Sequence, residues 1–496
     1  MFLYEEATKS ITGWEGPMPS VLVIPAVLEG KEVRRIGHSA FFGAEELKEV
    51  TVEEGITSLG SYCFSKCEEL LTLHLPDSLE RLEEGAFLGC SHLEAIAIPR
   101  GCQLVGDKAF CWCSAAKTLT FGQLLGEMEI GVGAFSFCSQ VERIVFPEGL
   151  RKIGRGAFSV CGALEQVVLP ASLRELDSQC FEACGVLAQV SLQEGLWRIG
   201  SWAFRECKSL QALELPKTVT VVEEGAFLGC VELRSIRLPD GVTEISDWLF
   251  GKCRNLVRLE LPPKIKRVGS FAFSRCRQLK NLSFPPGVEK LEQGAFSVCL
   301  DMTELRFAEG LKTIEPRAFE MCGNLRFVTL PDTVEQLQAK MFYECNQMEG
   351  ICYLWKGTDL PYLFLPFTPR GLRMAKEVQK GQFSWEKYDG CFERWGSQKV
   401  KLAVALYRLR YREGLLKERE ETYRKYLMRY GKKVAEAAIL ADDVDTLGFL
   451  CEQQLLPKRH MDFFVDLSAK QQGRCTALLL QQQKKTGQSL KKRFQL

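Results

Sequence analysis

The sequence contains few of the residue patterns that usually carry catalysis or cofactor binding. Its 496 residues include four histidines, His38, His74, His92 and His460, at unrelated positions. It has no dinucleotide-binding glycine fingerprint, no P-loop, no serine-hydrolase elbow and no His-Glu-x-x-His motif. Isolated surface histidines are far more often without function than catalytic. We therefore predict a protein that is not an enzyme and that uses no cofactor.

Long apolar runs are also missing. The nearest candidate, residues 362–367, is far shorter than the roughly 18 residues that a membrane-spanning helix needs, and Pro366 interrupts it. Residues 1–6 contain no basic segment followed by an apolar stretch, so we expect no secretory signal. The chain has 21 cysteines, which would indicate disulfides in a small secreted domain. In a large chain without an export signal they favour free thiols, and the expected location is the cytoplasm.

What the sequence does contain is a repeated phenylalanine–cysteine pair. Thirteen times a phenylalanine is followed three residues later by a cysteine, from Phe64/Cys67 to Phe342/Cys345, and an earlier copy pairs Phe41 with Ala44. The step between copies is 23 residues, except for 25 residues between Phe110 and Phe135. A fixed period of this length predicts a solenoid in which each coil packs on its neighbours.

One coil has a recognisable internal pattern, shown well around Phe158. Residues 164–169 alternate between apolar and other side chains and end at Pro170, which predicts a strand with one buried face. Residues 150–153 suggest a second short strand, and Gly154 after it suits a tight corner. The three-residue spacing from Ala157-Phe158 to Cys161 predicts a helical or 3₁₀ turn. The insertion in residues 122–130 predicts a local bulge.

The cysteines allow two interpretations. A metal or redox system would require paired ligands, yet no Cys-x-x-Cys spacing occurs, and the nearest cluster is Cys102, Cys111, Cys113 and Cys138. The alternative is a buried column, because free cysteine packs as a small apolar residue. Equivalent cysteines on neighbouring coils would lie about 5 Å apart, which is too far for a disulfide without repacking. We favour the buried column and predict no metal.

The repeats resemble the BspA-type (Treponema pallidum-type) leucine-rich repeat family. The segments 11–14 and 21–25, followed by Ile36-Gly37, are also similar to that family's N-terminal capping coil. The resemblance implies a bacterial repeat protein: a right-handed leucine-rich-repeat coil with a parallel β-sheet and short 3₁₀ or helical turns. We divide the chain into a capping segment (1–32), a solenoid of about 14 repeats (33–352), a cap or linker (353–397) and a basic α-helical domain (398–496).

The C-terminal region differs from the repeats in charge and periodicity. From Lys399 onward it contains 21 Lys and Arg against 11 Asp and Glu, a net charge of +10. Its apolar spacing predicts helices over 398–411 and 417–430, a helix, a turn at Asp443 and a helix over 433–455, and helices over 461–469 and 475–483. Residues 434–450 are weakly similar to an ankyrin helix pair, and a three- or four-helix bundle is an equal alternative.

Exposed strand positions of the solenoid form the first candidate partner surface. Between the two buried residues of each strand lies one varying position, and the members that we single out are His74, Val145, Val168, Glu214, Arg237, Glu260 and Arg306. Such variation within a uniform pattern is expected of a recognition surface and equally of an unconstrained one. The charged stretch at residues 214, 237 and 260 could also be simple pairing between neighbouring strands.

Exposed aromatic and aliphatic side chains form the second candidate surface. Trp112, Phe137 and Val160 occupy the position two residues after the repeat phenylalanine on successive coils, and Trp202 and Trp248 precede the Ala-Phe or Leu-Phe pair on later ones. A contiguous apolar stripe would favour partner docking. The alternative is that these side chains fold back and are half-buried.

These observations favour a protein-interaction scaffold that binds a protein partner on the concave strand face. The partner's identity does not follow from the residues. The alternative is a nucleic-acid-associated adaptor that uses the basic helical region, including Lys484, Lys485, Lys491, Lys492 and Arg493.

Overall fold

The computed structural model describes residues 1–335, 337, 339–354, 362–380, 382–471 and 473–485. The chain divides into two compact units. The solenoid unit comprises Met1–Leu325 and Thr333–Gln347, and the C-terminal unit comprises Arg326–Asp332 and Met348–Leu496.

The first strand ladder of the solenoid unit is built from the predicted repeat strands. The strands fall into five sheets, within which neighbours run parallel and in register, with Thr51 opposite His74 and Arg237 opposite Glu260. Apolar residues at alternate positions face the core, and the intervening ones face outward. The strands are Val21–Ile24, Glu49–Val52, Thr72–His74, Ala95–Ile98, Thr118–Phe121, Arg143–Val145, Gln166–Val168, Gln189–Ser191, Ala212–Glu214, Ser235–Arg237, Arg258–Glu260, Asn281–Phe284 and Glu304–Phe307.

A second parallel ladder confirms the second short strand of each coil. Its strands are Ser10–Trp14, Arg35–Ile36, Ser58–Leu59, Arg81–Leu82, Leu104–Val105, Met128–Ile130, Leu150–Ile153, Glu175–Leu176, Arg198–Ile199, Val221–Val222, Glu244–Ile245, Arg267–Val268, Lys290–Leu291 and Thr313–Ile314. The strand Phe2–Glu5 pairs antiparallel with the first of these and covers the ladder's edge. A small hairpin joins Val27–Leu28 to Lys31–Glu32.

The phenylalanine turn closes each coil on its third side. The Cys67 amide donates to the Phe64 carbonyl at 3.3 Å, a three-residue step that confirms the predicted 3₁₀-like turn. The Phe64 amide donates to the Ala86 carbonyl of the next coil at 2.8 Å, so the turns are also linked from coil to coil. The chain has a 3₁₀ helix of longer extent at Ala339–Phe342.

The repeat phenylalanines form one continuous stack in the core. From Phe41 to Phe342, rings of successive coils lie 5.0–6.0 Å apart with planes within 2–18° of parallel. At the N-terminal end, Phe2 packs edge-on against Trp14 and Phe41, with ring centroids 5.0 and 6.4 Å away. The first ring of the stack is therefore covered.

The two-residue insertion is absorbed outside this core. The rings of Phe110 and Phe135 remain 5.5 Å apart and 3° from parallel. The extra length lies in the segment around Leu125, which is exposed, and the second ladder shifts register between Met128 and Glu129. The predicted bulge is confirmed.

One glycine expectation needs correction. Gly154 does not adopt the left-handed conformation that a tight corner would favour. A Cβ atom at Gly154 would lie 2.7 Å from the backbone of Gly131, so close approach of neighbouring coils excludes a side chain there.

The C-terminal unit combines a small sheet with helices. Phe327–Pro331 pairs parallel with Gly350–Leu354, which pairs antiparallel with Leu363–Pro366. The helices are α1 (Pro369–Gln379), α2 (Trp385–Gly390), α3 (Gln398–Arg410), α4 (Lys417–Leu440), α5 (Val444–Glu452), α6 (Met461–Lys470) and α7 (Cys475–Lys485), with 3₁₀ turns at Phe392–Arg394 and Lys458–His460. The predicted helices are present, and Asp443 caps the start of α5.

A buried ion pair lies between these helices. Arg408 of α3, with no exposed side-chain surface, donates to both carboxylate oxygens of Asp389 in α2 at 2.8 and 3.0 Å. The Tyr423 hydroxyl of α4 donates to the same carboxylate at 2.7 Å. Arg408 also donates to backbone carbonyls of residues 411 and 413, and its guanidinium lies 4.0 Å from the ring centre of Trp385. Both charges are therefore fully compensated.

Candidate protein-binding surfaces

The strand-face residues predicted as a partner surface lie in one column. Val145 is opposite Val168, Glu214 is opposite Arg237, which is opposite Glu260, and Ser283 is opposite Arg306. His74 continues the same column at its N-terminal end, opposite Thr51. Of these side chains, Thr51 and Val168 are half-buried and the others are exposed. We call these register-matched positions the strand column.

Charges in the strand column are only weakly engaged with one another. Arg237 and Glu260 approach to 3.6 Å, and each side chain is 72% exposed. Arg306 instead pairs with Glu304 on its own strand at 2.8 Å. Exposed ion pairs of this kind contribute between about 0 and 1 kcal/mol. Among the described residues, Arg237 and Glu260 form the cross-strand pair that the sequence left open, and both can exchange partners at little cost.

The second candidate surface projects from unusual backbone positions. Trp112, Phe137 and Val160 have φ angles of 65°, 62° and 61°, in the left-handed region. Their amides donate to the next coil at 2.8–2.9 Å, so coil-to-coil hydrogen bonds impose this conformation. Left-handed geometry costs a non-glycine residue about 1–2 kcal/mol. At these turns, bulky residues that point outward occupy a backbone conformation that is energetically unfavourable for them.

Trp112, Phe137 and Val160 form a continuous apolar stripe. The rings of Trp112 and Phe137 stack at 4.0 Å with planes 4° apart. Trp112 is 51% exposed and Val160 is 37% exposed, whereas Phe137 is half-buried. The stripe therefore has exposed apolar surface at Trp112 and Val160. Phe137 is half-buried, as expected if such side chains fold back against the coil.

Trp202 and Trp248 occupy a different position, two residues before the repeat phenylalanine. The Trp202 ring lies over Gly225 of the next coil, and Trp248 stacks on Phe271 at 4.5 Å. Phe271 in turn lies over Gly294. These aromatic side chains are half-buried and cover neighbouring coils, so packing accounts for them.

Substituting Gly225 by alanine is expected to destabilise the solenoid unit by roughly 1–3 kcal/mol. Gly225 has a φ of +57°, and a Cβ atom there would lie 2.3 Å from the Trp202 ring. Urea unfolding measures the effect. Gly185→Ala is the matched control, because a Cβ atom at Gly185 would meet no other atom within 4 Å and its φ is not left-handed. Equal losses in both variants would contradict this account.

The cysteine column makes contacts that the sequence did not predict. In all thirteen pairs the cysteine Sγ donates to the carbonyl of the preceding coil's phenylalanine, at 2.9–3.4 Å. Eleven of these thirteen carbonyls also accept the amide of the residue at the cysteine position in their own coil. The thiol therefore serves as a weak second donor to a buried carbonyl. We call this row of contacts the thiol ladder.

Ala44 is the sequence signal that could have revealed the thiol ladder. It stands at the cysteine position of the first coil, and no repeat phenylalanine precedes that coil. Cysteine appears from Cys67 onward, where Phe41 supplies the first carbonyl, at 3.2 Å. Alanine thus replaces cysteine in the first coil, where no phenylalanine carbonyl of a preceding coil is present for a thiol to contact.

The thiols are buried and form no disulfides. None of the 21 cysteines, all of which lie in the described part of the chain, is in a disulfide, and Cys391 alone is half-buried rather than buried. Burial raises the pKa of the Cys67 thiol to about 11 and that of Cys138 to about 12. The buried-column interpretation is confirmed. Within the described residues, no group of three or more His, Cys, Asp or Glu side chains could hold a metal ion.

Basic residues of the C-terminal unit are largely engaged within that unit. Arg412 and Arg424 both contact Glu420, and Arg474 contacts Asp442. Along α4, Lys425 and Lys432 pair with glutamates one turn away. The basic residues Lys491, Lys492 and Arg493 lie outside the described residues, as does the side chain of Lys485.

Repeated coils with two parallel ladders and a buried phenylalanine stack define a leucine-rich-repeat solenoid. The family model for the BspA type leucine rich repeat region matches residues 26–129, 127–234 and 220–349, with six copies. The chain belongs to this family, which confirms the resemblance drawn from its sequence. The sequence matches no curated protein.

A solved bacterial structure shares this fold, and two others are similar over part of the chain. A leucine-rich repeat protein from Bacteroides ovatus has a TM-score of 0.56 and 24% identity, and the match covers 71% of this chain and 97% of that one. A leucine rich cell surface protein from Faecalibacterium prausnitzii has a TM-score of 0.41 and 22% identity, over 72% and 93% of the two chains. The T. pallidum leucine rich repeat protein has values of 0.33 and 26%, over 42% and 87%.

The family places the chain among proteins that are typically interaction scaffolds and generally not enzymes. Among the helices of the described residues, none combines the length and the apolar composition needed to cross a membrane.

Proposed function

We propose that this chain is a non-enzymatic scaffold that binds a protein partner on the strand column. The observation that carries the proposal is the contrast between uniform and varying positions of the first ladder. Buried neighbours of the column are apolar in coil after coil, such as Val167 and Leu169 or Ile236 and Leu238. The column itself ranges from Val145 to Glu214 and Arg237. A rigid array of this kind presents many different side chains at fixed spacing.

The column has two chemically different parts. From Val145 to Ser191 its members carry no charge, whereas Glu214, Arg237 and Glu260 alternate in sign. A partner that matches both parts would combine an apolar or hydroxyl-rich patch with opposite charges in the same order. Such complementarity supplies specificity and association rate more than raw affinity.

We place this activity in the cytoplasm. Every thiol of the ladder must be protonated and reduced to donate to a phenylalanine carbonyl, and reducing compartments maintain that state. The requirement for reduced thiols in the ladder is what supports a cytoplasmic location.

Affinity enrichment with a strand-column variant tests the proposal. The variant Val145→Asp, Glu214→Arg, Arg237→Glu alters exposed side chains, and we expect recovery of the bound partner to fall at least about tenfold. Trp112→Ala, Phe137→Ala tests the apolar stripe separately. Thermal unfolding confirms that each variant remains folded. Unchanged recovery with the strand-column variant would contradict the proposal.

The full chain and the strand-column variant also distinguish the protein-binding scaffold from a nucleic-acid-associated adaptor. Phosphate contacts weaken steeply as salt rises. Oligonucleotide binding with that salt dependence, retained in the strand-column variant and lost after deletion of residues 399–496, would favour the adaptor over the scaffold.

A further inference from the structure

Two neighbouring coils carry paired basic residues at one edge of the solenoid unit. The edge consists of the positions two and four residues after each repeat phenylalanine. On the Phe250 coil these positions hold Lys252 and Arg254, and on the Phe273 coil they hold Arg275 and Arg277. Across the sequence no other coil has basic residues at both positions. We call these four residues the basic edge.

Backbone hydrogen bonds join the two coils along this edge. The Lys252 amide donates to the carbonyl of Ser274 at 2.7 Å, and the Gln278 amide donates to the carbonyl of Arg254 at 3.1 Å. These bonds hold the two turns side by side, so the four basic residues lie on adjacent coils. Like charges on neighbouring turns repel one another. The arrangement thus has a cost that an anionic partner would offset.

The basic edge has no ion-pair partner within the described residues. Its side chains are exposed, apart from half-buried Lys252, and none of the four contacts a carboxylate. Arg267, on the second ladder between the same two turns, shows what pairing looks like in this unit. It contacts Asp247 at 2.5 Å and Glu292 at 2.9 Å. Nearby carboxylates thus pair with Arg267, whereas the four cations of the basic edge can still pair with an anionic partner.

On the next two coils the equivalent positions of this edge carry apolar side chains. Val298 and Leu300 follow on the Phe296 coil, and Met321 follows on the Phe319 coil. Leu300 is 37% exposed and Met321 is 42% exposed. Lys252, Arg275, Val298 and Met321 all have φ angles of 58–65°, so the backbone presents successive members in the same way. The edge therefore changes from cationic to apolar over about 14 Å, three coil steps.

We infer that this edge is a docking site for an acidic polypeptide segment in which carboxylates are followed or preceded by large apolar residues. Asp and Glu side chains would pair with the basic edge, and Leu, Ile or Phe side chains would cover Leu300 and Met321. A length of about 14 Å fits four or five extended residues at roughly 3.3 Å each. A nucleic acid would match the cations but would set phosphates against the apolar coils. The site is separate from the strand column and does not depend on it.

Fluorescence anisotropy with the full chain and a labelled peptide tests the inference. The probe is a peptide of about ten residues in which about four Asp and Glu residues precede three Leu and Ile residues. We expect saturable binding at near-physiological salt, weakened about tenfold or more by Arg254→Glu, Arg277→Glu. Leu300→Ser, Met321→Ser should weaken this probe but leave a polyglutamate probe unchanged.

Matched variants separate the possible results. Lys117→Glu, Lys217→Glu changes the net charge equally at exposed lysines elsewhere in the same unit and should leave binding intact. The strand-column variant should also leave it intact, so this result is independent of the proposed scaffold function. Equal weakening by the control variant, no saturable binding, or tighter binding of a single-stranded oligonucleotide at the same residues would each overturn the inference.

Discussion

Raising the pH from about 8 to about 11 is expected to unfold the solenoid unit cooperatively. A thiol whose pKa is higher in the folded chain stabilises folding below its unfolded pKa, and this contribution is lost as pH rises towards the folded value. For Cys67 the window runs from 9.0 to about 11. Each pH unit within the window removes about 1.4 kcal/mol per thiol, so Cys67 alone loses about 3 kcal/mol.

The thiol ladder multiplies this effect. Burial is the largest cause of a raised pKa in eight further ladder thiols, among them Cys138, Cys207 and Cys230. In Cys161, Cys322 and Cys345 a hydrogen bond to the cysteine of a neighbouring coil is the largest cause, and burial raises the pKa further. A domain is typically stable by only about 5–15 kcal/mol, so ionisation of a few such thiols is sufficient to unfold it. Urea unfolding followed by circular dichroism at a series of pH values measures the loss.

A cysteine double variant identifies the thiols as the cause. In Cys207→Ala, Cys230→Ala the free energy of unfolding should fall less steeply between pH 9 and 10, by about 3 kcal/mol per pH unit. This slope is independent of any stability lost at neutral pH through the missing side chains. An unchanged slope would show that tyrosine or lysine titration controls alkaline unfolding instead.

Substituting Asp389 by alanine is expected to destabilise the C-terminal unit by about 3–5 kcal/mol, because it leaves the Arg408 charge buried and unpaired. The Tyr423 hydroxyl would lose its acceptor as well. All α-helices of the described residues belong to this unit. The helical far-UV circular dichroism signal during urea unfolding therefore reports on it selectively.

Two variants control for the ion-pair prediction. Lys425→Ala removes an exposed pair with Glu421, whose side chains lie 3.8 Å apart, and should cost less than about 0.5 kcal/mol. Asp389→Leu, Arg408→Met removes both buried charges and should be less destabilised than Asp389→Ala. If the double variant were the less stable of the two, packing rather than an unpaired charge would explain the loss.

The coil architecture was predictable because each coil repeats the same burial requirement. Phe158 and Cys161 recur with their equivalents every 23 residues, and Leu164 to Leu169 alternates with a period of two. Each pattern arises because one face of every turn or strand is buried in the core and must carry apolar side chains. The helices α3 to α7 were predictable for the same reason, through apolar spacing and the cap at Asp443.

Other features depend on contacts that a single sequence does not display. Burial of Cys67 follows from its period, but its contact with the Phe41 carbonyl depends on where the preceding coil stops. The left-handed backbone at Trp112 and Val160 runs against the preference of those residue types, so nothing local indicates it. The strand Leu363–Pro366 lies in a segment without a period, and its pairing with Gly350–Leu354 decides its conformation. For the strand column, the sequence identified the positions, and its role in binding stays a prediction.

The segment around Leu125 shows how this architecture accommodates change in chain length. Two extra residues entered one coil, yet the Phe110–Phe135 stack and the 3.4 Å contact between Cys138 Sγ and the Phe110 carbonyl are intact. Extra residues at the corner after the Thr118–Phe121 strand therefore leave the spacing of the ring stack unchanged. Coils of this kind can lengthen at that corner one at a time, so new surface loops can evolve with a local register shift in the second ladder and no change in the ring stack.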